Sequence, residues 1–509
     1  MPDQKLVNVT IEGRPVSVPE GTTILEAAKT AGVLIPHYCY HPGLKIAGVC
    51  RMCLVEVEKM PKLAPSCATT VAEGQVVNVY SQKALDARKG VLELLLINHP
   101  LDCPICDQAG ECELQDYTFQ EGRADSRYRE PKRFNPAEDF GGDVLYVTNR
   151  CILCTRCVRY MGDVAGDRAL CVEERGDRAK IGIAPDHDLS HAWAANVVDL
   201  CPVGALVSKD FLNKARAWEL DRTASVCPNC SQGCNITLET RDGALMRMKP
   251  RSNSEVNHFY LCDEGRLNYQ WVDRDDRLEA PMVAGQAVSW ETALTAAGAA
   301  LTTGAGHVVA SPSLSNEALW LLKQAAGVGT FRVAQGTEAP LPGVTDLARR
   351  ADRAPNATGA ELLGFTRAAN PLSGAGDVVV IAGDDCAGLD TAALASAKHV
   401  IFLGTAAPAA LPVGAIVLPI ANFAEEEGTF TNLRGRVQRY LQARPAPGFA
   451  RAGWLAIAGL ASAAGKGGAY TSAAAVFAAM AKAESAFAGM SYDTVGLKGQ
   501  TAPGARVNA

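Results

Sequence analysis

The 17 cysteines of this 509-residue chain stand out against an ordinary composition, and fifteen of them fall, with one histidine, into four groups of four. Thiolate and imidazole are strong ligands of zinc and of iron–sulfur clusters, so such groups predict metal sites. In chain order the spacings are C-x10-C-x2-C-x13-C, H-x3-C-x2-C-x5-C, C-x2-C-x2-C-x43-C and C-x2-C-x3-C-x27-C. The members are Cys39, Cys50, Cys53 and Cys67; His99, Cys103, Cys106 and Cys112; Cys151, Cys154, Cys157 and Cys201; and Cys227, Cys230, Cys234 and Cys262. We name each set by its first member.

Clustered C-x2-C units favour metal binding over disulfide bonds. The first residues, MPDQKLVNVT, have neither the basic stretch and apolar core of a signal peptide nor an Arg-rich transit pattern, so we expect a cytoplasmic, reducing environment. The formal charge of −6, without clustered Lys and Arg, argues against a nucleic-acid partner. The longest apolar runs are far shorter than the roughly 20 residues that cross a bilayer, so membrane contact is expected only through partner subunits.

The Cys39 set lies in a long loop of a β-rich module. Its first three cysteines are in the stretch HYCYHPGLKIAGVCRMC, and Cys67 is returned by a later strand. Four thiolates can hold either zinc or an iron–sulfur cluster. The loop plus a distant cysteine resembles the layout of [2Fe–2S] ferredoxins, although the spacing is not the plant-type C-x4-C-x2-C, so we expect a [2Fe–2S] cluster with zinc as the alternative. His37 and His41 then frame the loop instead of binding metal.

The next two sets are each completed by a ligand outside a run of three cysteines. His99 ends a helix directly before three cysteines that lack a fourth local ligand, so we expect it to bind iron or zinc and not to be an ordinary surface or capping residue. The Cys151 set repeats the run of bacterial ferredoxins, completed by a remote cysteine before proline, here Cys201, which predicts a [4Fe–4S] cluster. A second three-cysteine run is missing, so this segment holds one cluster.

The Cys227 set combines CPNCSQGC with Cys262 in LCDEGRLNY. Cys171 and Cys386 are left over, and we expect both to be small buried hydrophobic residues and not ligands. Structural metal would not need four sites in one chain, whereas electron transfer needs a row of carriers, so the four sets predict an electron-transfer protein. There is no nucleophile–base–acid set, H-E-x-x-H or P-loop, and in GAGDVVVIAGDD the glycines precede a strand, which does not support a dinucleotide site.

The elements that carry these sets are short in the first half of the chain. Residues 5–18 alternate apolar and polar positions around EGR and predict a hairpin, TTILEAAKTAG predicts a helix ended by glycine, and CLVEVEKM and GQVVNVYS predict strands. SQKALDARKGVLELLLINHP predicts a helix that begins at a Ser cap and is stopped by Pro100. A cysteine-rich loop region to about Gly122 and then a polar stretch are expected to follow.

From about Pro281 helix-like runs alternate with short apolar runs such as HVVAS, DVVVIAG and HVIFLG. This alternation predicts parallel βαβ units with helices on both faces of a sheet. Beyond Gly448 the residues are mostly Ala and Gly, and there we expect helices that are loosely packed or lie on a partner, with some flexible linker. The fold class is therefore multidomain α/β.

The order of the four spacings resembles that of the large iron–sulfur subunit of NADH:quinone oxidoreductase (respiratory complex I), the 75 kDa subunit family, over residues 1 to about 275. The resemblance implies an N-terminal β-grasp [2Fe–2S] ferredoxin-like domain followed by [4Fe–4S] domains. It implies that the Cys39 set receives electrons from an FMN- and NADH-binding flavoprotein subunit. The Cys151 set would hold the next carrier, and a [4Fe–4S] cluster on the His99 set would pass electrons to the peripheral-arm subunit that leads toward quinone. A third [4Fe–4S] cluster, on the Cys227 set, would lie off this path.

By the same resemblance we expect a bacterial protein, because the mitochondrial subunit lacks the ligands of the Cys227 set. We also expect it to be peripheral, on the cytoplasmic side of the inner membrane. The C-terminal half resembles the molybdopterin-oxidoreductase fold in VSWETAL and EEGTFTNLRGRVQ. The chain ends soon after the second stretch, no metal-ligating Cys or Ser has a suitable setting, and Asp263 follows Cys262 where such enzymes often carry lysine. We therefore expect a truncated α/β domain of this kind, without molybdopterin and without catalytic residues.

These expectations divide the chain into five domains. They are a 2Fe-2S ferredoxin-type domain at 1–80, a 4Fe-4S domain with one histidine and three cysteine ligands at 81–122, a 4Fe-4S ferredoxin-like domain at 123–219, a 4Fe-4S domain of the Mo/W bis-MGD type at 220–276 and a degenerate molybdopterin-oxidoreductase-like domain at 277–509. Three other functions stay open: the α-subunit of a NAD-linked molybdenum formate dehydrogenase, a diaphorase-type subunit of a soluble hydrogenase, and a zinc-bearing scaffold. The missing three-cysteine run and the short C-terminal part weigh against the first, and the long degenerate C-terminal fold against the second.

Overall fold

The computed structural model describes residues 5–304, 306–384 and 391–505. The chain divides into two compact units, Met1–Glu219 with Leu341–Val344, and Leu220–Pro340 with Thr345–Ala509. The first unit carries the Cys39, His99 and Cys151 sets, and the second carries the Cys227 set. Cys386, expected to be a small buried residue, lies outside the described residues. In the described part of the chain, every helix is too short or too polar to span a bilayer.

A five-stranded mixed sheet supports the Cys39 set. Its elements are β1 (Leu6–Ile11), β2 (Arg14–Pro19), α1 (Ile24–Thr30), β3 (Leu54–Val57), β4 (Ala64–Pro65) and β5 (Gln75–Asn78). The strand order is β2-β1-β5-β3-β4, with β1 antiparallel to β2 and parallel to β5. The predicted hairpin and helix are confirmed. The Thr23 side chain caps α1, and Gly32 follows it at a φ of +68°, a left-handed conformation that glycine adopts without strain.

Short elements around the cysteine loops make up the rest of the first unit. They are α2 (Gln82–Leu96), α3 (Glu113–Glu121), β6 (Glu138–Asp139), β7 (Val144–Tyr146), α4 (Arg156–Arg159) with a π-helical continuation (Tyr160–Val164), β8 (Leu170–Glu173), β9 (Lys180–Ile183), α5 (Asn196–Leu200), β10 (Leu206–Ser208) and 3-10 turns at Cys103–Ile105, Thr148–Arg150 and Ala217–Glu219. The predicted Ser81 cap of α2 is confirmed. The expectation of a loop as far as Gly122 is wrong, because Leu114 and Tyr117 lie on one face of α3 and are buried.

A three-stranded antiparallel sheet carries the Cys227 set in the second unit. Its strands β11 (Asp221–Val226), β12 (Asn235–Arg241) and β13 (Ala244–Pro250) are followed by α6 (Asp263–Leu267) and a 3-10 turn (Gln270–Asp273). The first three ligands of the set lie in the connection between β11 and β12, and Cys262 is the N-cap residue of α6. The connection between two adjacent strands and the start of one helix thus supply all four ligands.

An eight-stranded sheet forms the centre of the second unit. This region comprises β14 (Met282–Val283), β15 (Gln286–Ala287), α7 (Trp290–Thr302), β16 (Gly306–Ala310), α8 (Asn316–Ala326), β17 (Thr330–Phe331), the pair β18 (Ala339–Leu341) and β19 (Val344–Arg349), α9 (Ala357–Leu362), β20 (Thr366–Arg367), β21 (Val378–Ala382), α10 (Thr391–Ser396), β22 (His399–Gly404) and β23 (Ile416–Pro419). The sheet order is β15-β14-β23-β22-β21-β16-β17-β20, parallel from β23 to β20. Alternate residues of β21 belong to two different buried clusters, so both faces are covered and the βαβ prediction is confirmed.

The alanine-rich C-terminal segment packs into this core. It follows β24 (Gly428–Thr431) and β25 (Arg436–Tyr440) and contains α11 (Gly453–Ala463), α12 (Ala473–Ala483), a 3-10 turn (Ser485–Phe487), α13 (Tyr492–Val495) and β26 (Gln500–Thr501). Ile457, Leu460, Phe477 and Met480 are fully buried. The expectation of loosely packed helices is therefore wrong, because these four side chains all insert into one core.

Candidate iron–sulfur sites

The thiols of the four sets are free and mostly buried. All sixteen cysteines that the structure describes are free, so none of the ligands is used in a disulfide. Cys103 is exposed and three other ligand cysteines are half-buried, whereas the remaining eleven are buried. Ionising a buried thiol is unfavourable unless a cation compensates the new charge. This burial fits thiols that become thiolates when they bind metal.

The structure brings the four thiols of the Cys39 set together. Hydrogen bonds with the Cys50 and Cys67 thiols hold the pKa of Cys39 well below its usual range. A hydrogen bond with Cys67 likewise lowers the pKa of Cys53. The Cys39 amide also donates to Cys50 Sγ at 3.5 Å. Four sulfur atoms, three from one loop and one from the turn after β4, therefore lie close together.

The two histidines of this loop are bonded to its own backbone. His37 Nδ1 lies 2.8 Å from the carbonyl oxygen of Ile35, and the Gly43 amide donates to His41 Nδ1 at 3.1 Å. Burial lowers the pKa of His41 to about 4, so this ring is neutral and can accept the bond. Both contacts are of the kind that loop framing requires.

Three thiols of the His99 set lie in the turns between α2 and α3. Burial raises the pKa of Cys112 to about 11, with a contribution from the neighbouring Cys106 and Cys103 thiols. A Cβ atom at Gly204 would lie 2.2 Å from Cys106 Sγ, so only glycine fits against this sulfur. Cys103 is the one exposed ligand among the described cysteines.

His99 and Cys106 of this set share one charged neighbour, Arg150. The Arg150 guanidinium forms an ion pair with Asp102 at 2.9 Å, and its charge acts on both His99 and Cys106. Burial, followed by the charges of Lys132 and Arg150, lowers the pKa of His99 to about 4. Within the described ranges, His99 Nδ1 is buried without a hydrogen-bond partner. A neutral imidazole with an unpartnered nitrogen fits a metal ligand.

The four thiols of the Cys151 set line a largely enclosed cavity. Arg156 and apolar side chains such as Ile181 complete its wall. Burial raises the pKa of Cys151 to about 11 and that of Cys154 to about 12. These thiols also raise each other's pKa, so a cation in the cavity would be needed for all four to ionise.

The turn that carries the run of three cysteines has a strained backbone. Leu153 and Thr155 adopt φ angles of +53° and +61°, in the left-handed region that favours glycine. Each such residue costs of the order of 1–3 kcal/mol, and strain of this kind concentrates at functional sites. In this conformation the Leu153 amide donates to Cys151 Sγ at 3.4 Å.

The Cys227 set is buried throughout, with each of its cysteines at most 5% exposed. Burial raises the pKa of Cys227 to about 12 and that of Cys262 well above its usual range. The Gly265 amide donates to Cys262 Sγ at 3.3 Å. A Cβ atom at Gly265 would lie 3.2 Å from this sulfur and 3.3 Å from Cys227 Sγ, so the two sulfur atoms flank the same backbone position.

Sequence reasoning missed the arginine that joins the three sets of the first unit. Arg156, inside the C-x2-C-x2-C run, donates to the carbonyl oxygens of Tyr40 (2.8 Å) and Leu200 (3.3 Å) and pairs with Glu113 (3.3 Å). Each of these partners directly adjoins a ligand of a different set. The available signal was an arginine between two closely spaced cysteines, although its partners are far apart in the sequence.

Two more contacts connect the same sets in pairs. Arg159 Nη2 donates to the carbonyl oxygens of Cys39 (2.5 Å) and Cys154 (3.3 Å). The Glu113 amide, next to Cys112, donates to the Pro202 carbonyl oxygen at 3.1 Å. The loops of the Cys151 set are thus bonded directly to those of the other two.

The donor chemistry of all four sets fits iron–sulfur clusters. Each set offers four soft thiolate ligands, or three with an imidazole, and backbone N–H groups donate to sulfur in every set. Among the described residues, no three His, Cys, Asp and Glu side chains are spaced to hold a single metal ion. Cys171 belongs to no set. It is half-buried on β8, less buried than expected, with its Sγ 3.8 Å from the Gly182 carbonyl oxygen.

Five family models match consecutive parts of the chain. They are the 2Fe-2S iron-sulfur cluster binding domain (residues 4–82), the NADH-ubiquinone oxidoreductase-G iron-sulfur binding region (88–127), the ferredoxin-like domain of NADH-quinone oxidoreductase subunit 3 (141–207), the molybdopterin oxidoreductase Fe4S4 domain (220–274) and molybdopterin oxidoreductase (367–463). The first four ranges contain all four ligand sets. The expected fold class, with ferredoxin-like, 4Fe-4S and molybdopterin-oxidoreductase-like parts, is therefore confirmed.

Similar proteins are found among both bacterial and mitochondrial sequences. A NADH-quinone oxidoreductase subunit of Rickettsia bellii is 43% identical over 295 residues, which are 57% of this chain and 43% of that protein. The mitochondrial NADH dehydrogenase [ubiquinone] iron-sulfur protein 1 of Solanum tuberosum is 45% identical over 296 residues, 57% of this chain and 40% of that protein. A crystal structure of NAD+-reducing [NiFe]-hydrogenase in the H2-reduced state matches 41% of this chain and 90% of that chain at 31% identity, with a TM-score of 0.38. The chain spans less than half the length of these two curated relatives.

Proposed function

We propose that this chain, which is similar through its N-terminal half to the large iron–sulfur subunit of NADH:quinone oxidoreductase, is an electron-transfer subunit of such a complex. In this role it would need no substrate site of its own. The four sets would hold one [2Fe–2S] and three [4Fe–4S] clusters, each of which takes up and releases single electrons. Electrons would pass from the Cys39 set through the Cys151 set to the His99 set. The chain's own residues hold these sites close together and set the polarity around them.

The hydrogen bonds that join three ligand sets within one unit carry this proposal. Arg159 bonds to Cys39 and Cys154, which belong to different sets. Glu113 and Pro202, each next to a ligand, are joined by a backbone hydrogen bond. Electron transfer slows steeply with distance, so ligands whose backbones share hydrogen bonds suit a relay. A zinc scaffold would have no need to bring separate sites this close.

The surface around two of these sets suits partner proteins at the two ends of a relay. In the His99 set the exposed Cys103 lies between Leu101, 88% exposed, and Ile105, 65% exposed. In the loop of the Cys39 set Ile46 and Val49 are about half exposed. Apolar side chains around a ligand favour protein docking. We therefore assign the flavoprotein subunit to the Cys39 loop, and a further peripheral-arm subunit to the surface around Cys103.

The second unit has a different part in this proposal. The Cys227 set would hold the third [4Fe–4S] cluster, off the path between the flavin and quinone. It precedes in the sequence a degenerate molybdopterin-oxidoreductase-like fold, which in this role would need no molybdopterin. The five-domain division with boundaries after residues 80, 122, 219 and 276 remains part of the proposal. Membrane contact would be made only by partner subunits, on the cytoplasmic side of a bacterial inner membrane.

Metal analysis and EPR spectroscopy of the full chain test this function. For protein purified without oxygen we expect about fourteen irons per chain, two from one [2Fe–2S] cluster and twelve from three [4Fe–4S] clusters, with matching sulfide and EPR signals after dithionite reduction. Cys154→Ala should remove one [4Fe–4S] signal, whereas Cys171→Ala, a matched cysteine outside every set, should remove none. Zinc without iron would refute electron transfer. Stoichiometric molybdenum with formate oxidation would instead establish a formate dehydrogenase.

A further inference from the structure

We propose that Arg156 is a positioning residue shared by the three sites of the first unit, and that it raises the reduction potential of the cluster on the Cys151 set. This inference rests on the proposed function, because it concerns clusters that the ligand sets would hold. Arg156 is not a ligand. Its role follows from what its side chain contacts and from one buried nitrogen that has no hydrogen-bond partner in the described part of the chain.

The first observation is an unpartnered charged donor at the cavity of the Cys151 set. The Arg156 side chain is 5% exposed and lines this cavity together with the four cysteines. Of the guanidinium nitrogens, Nη1 and Nη2 are bonded, whereas Nε is buried and has no hydrogen-bond partner among the described residues. A buried charged N–H without an acceptor is costly. Sulfur of a cluster in the cavity would provide the acceptor that this N–H lacks.

The second observation is the fork by which Arg156 joins three loops. The planar guanidinium presents its donors in a fixed geometry, which a lysine cannot reproduce. Its partners are the Tyr40 and Leu200 carbonyl oxygens and the Glu113 carboxylate, one beside each set. Arg156 therefore fixes the separation of the three sites as well as the charge between them.

The positive charge of Arg156 raises the electron affinity of a cluster bound by the Cys151 set. Reduction adds one negative charge to a cluster, and a buried cation nearby stabilises the reduced form. The counter-ion Glu113 has a side chain that is 37% exposed, so water screens the carboxylate more than the guanidinium. An N–H···S hydrogen bond from Nε would shift the potential the same way.

Redox titration of the reduced chain, followed by EPR, tests this role in two variants. Arg156→Gln removes the charge and should shift the reduction equilibrium of the Cys151-set cluster about tenfold toward the oxidised form, about 59 mV for one electron. Arg156→Lys keeps the charge but not the Nε donor or the fork, and should show a smaller shift in the same direction. The cluster on the Cys227 set, in the other unit, should keep its potential and serve as the internal reference.

Arg88→Gln is the matched control for a purely structural effect. Arg88 is fully buried in the same unit, pairs with Glu121 and donates to the Val79 carbonyl oxygen at 2.9 Å, and neither of these partners adjoins a ligand in the sequence. Its loss should lower the melting temperature and leave all potentials unchanged. Unchanged potentials in Arg156→Gln would overturn the proposal. If that variant fails to assemble its cluster, an unchanged potential in Arg156→Lys would do so. Absence of iron from the wild-type chain would instead refute the proposed function.

Discussion

Gly204 shows how one residue outside the ligand sets controls a site. It follows Cys201 by three positions, yet its missing side chain makes room for a ligand of the His99 set. A Cβ atom here would lie 2.2 Å from Cys106 Sγ and 3.1 Å from the Gln108 Cβ. Neither contact can relax without moving the loop that carries the ligands. The two sets therefore fit together only because this position is glycine.

We expect Gly204→Ala to displace Cys106 and remove the cluster of the His99 set. Iron content should fall by about four per chain, and one EPR signal should be lost. Gly90→Ala on α2 is the control, because its Cβ would meet open space and its backbone is helical. A Gly204→Ala chain with wild-type iron content and all signals would show that the loop adapts.

The ligands themselves could be predicted from the sequence, because C-x2-C spacing is local and only a few residue types bind iron. Arg156, Gly204 and Gly265 could not be assigned roles in the same way. Each acts on a residue distant in the chain, or through a contact distance that spacing does not reveal. His99 lies between these cases, since its position before three cysteines suggested a ligand and its buried, unpartnered nitrogen agrees with one.

At the scale of elements, helices α7 and α11 pack closely against each other, and a glycine of each helix lies at their contact. A Cβ atom at Gly298 of α7 would lie 2.5 Å from the Ala463 carbonyl oxygen, which is fixed backbone. A Cβ atom at Gly459 of α11 would lie 3.0 Å from Leu294 Cδ1, the end of a flexible side chain. The two positions are in the same interface but differ in what would have to move.

Gly298→Ala should therefore lower the free energy of unfolding of the second unit by about 1–3 kcal/mol, as overpacking does. Gly459→Ala should be neutral or slightly stabilising, because alanine favours a helix over glycine by up to about 1 kcal/mol. Urea unfolding of the full chain measures both. Equal losses of stability in the two variants would contradict the difference in packing.

The parallel sheet was predictable because buried strands of Val and Ile alternate with helical runs. The packing of α11 and α12 was not, since helices rich in alanine have similar patterns whether they are buried or exposed. Helix α3 was missed because a cysteine-rich segment obscured two apolar residues, Leu114 and Tyr117, at helical spacing. Tertiary contacts determine both the burial of α11 and α12 and the formation of α3, and the local sequence pattern does not reveal these contacts.

At the scale of the whole molecule, two buried carboxyl groups make the stability of the second unit depend on pH. Glu317 accepts hydrogen bonds from Thr429 Oγ1 and Tyr492 Oη, both at 2.9 Å, and Glu426 accepts one from Tyr440 Oη at 3.0 Å. Burial raises the pKa of Glu317 to about 7 and that of Glu426 to about 8. Both are therefore protonated in the folded unit at a pH where an unfolded chain would have lost the protons.

Between the ordinary glutamate pKa of about 4.3 and about pH 8, the folded unit thus binds more protons than the unfolded chain. Raising the pH through this window should lower the free energy of unfolding by up to about 1.4 kcal/mol per pH unit for each group. The loss should end once both groups have ionised. Replacing both residues by glutamine should flatten this dependence, as measured by urea unfolding from about pH 5 to about pH 9.

Glu427→Gln is the control, because this neighbouring side chain is 37% exposed and pairs with Arg439. It should leave the slope of stability against pH unchanged. The same slope in the double variant and the wild type would mean that other groups cause the pH dependence.

The contacts of Arg156 with three sites also limit how these sites can change in evolution. A substitution at Arg156 affects the surroundings of ligands in the Cys39, His99 and Cys151 sets together, so the three sites place a shared constraint on this one position. The Cys227 set is carried by the other unit, and its sulfur atoms flank a glycine of that unit. A change at Arg156 should therefore require compensating changes beside all three of these sets, whereas the Cys227 set can vary without them.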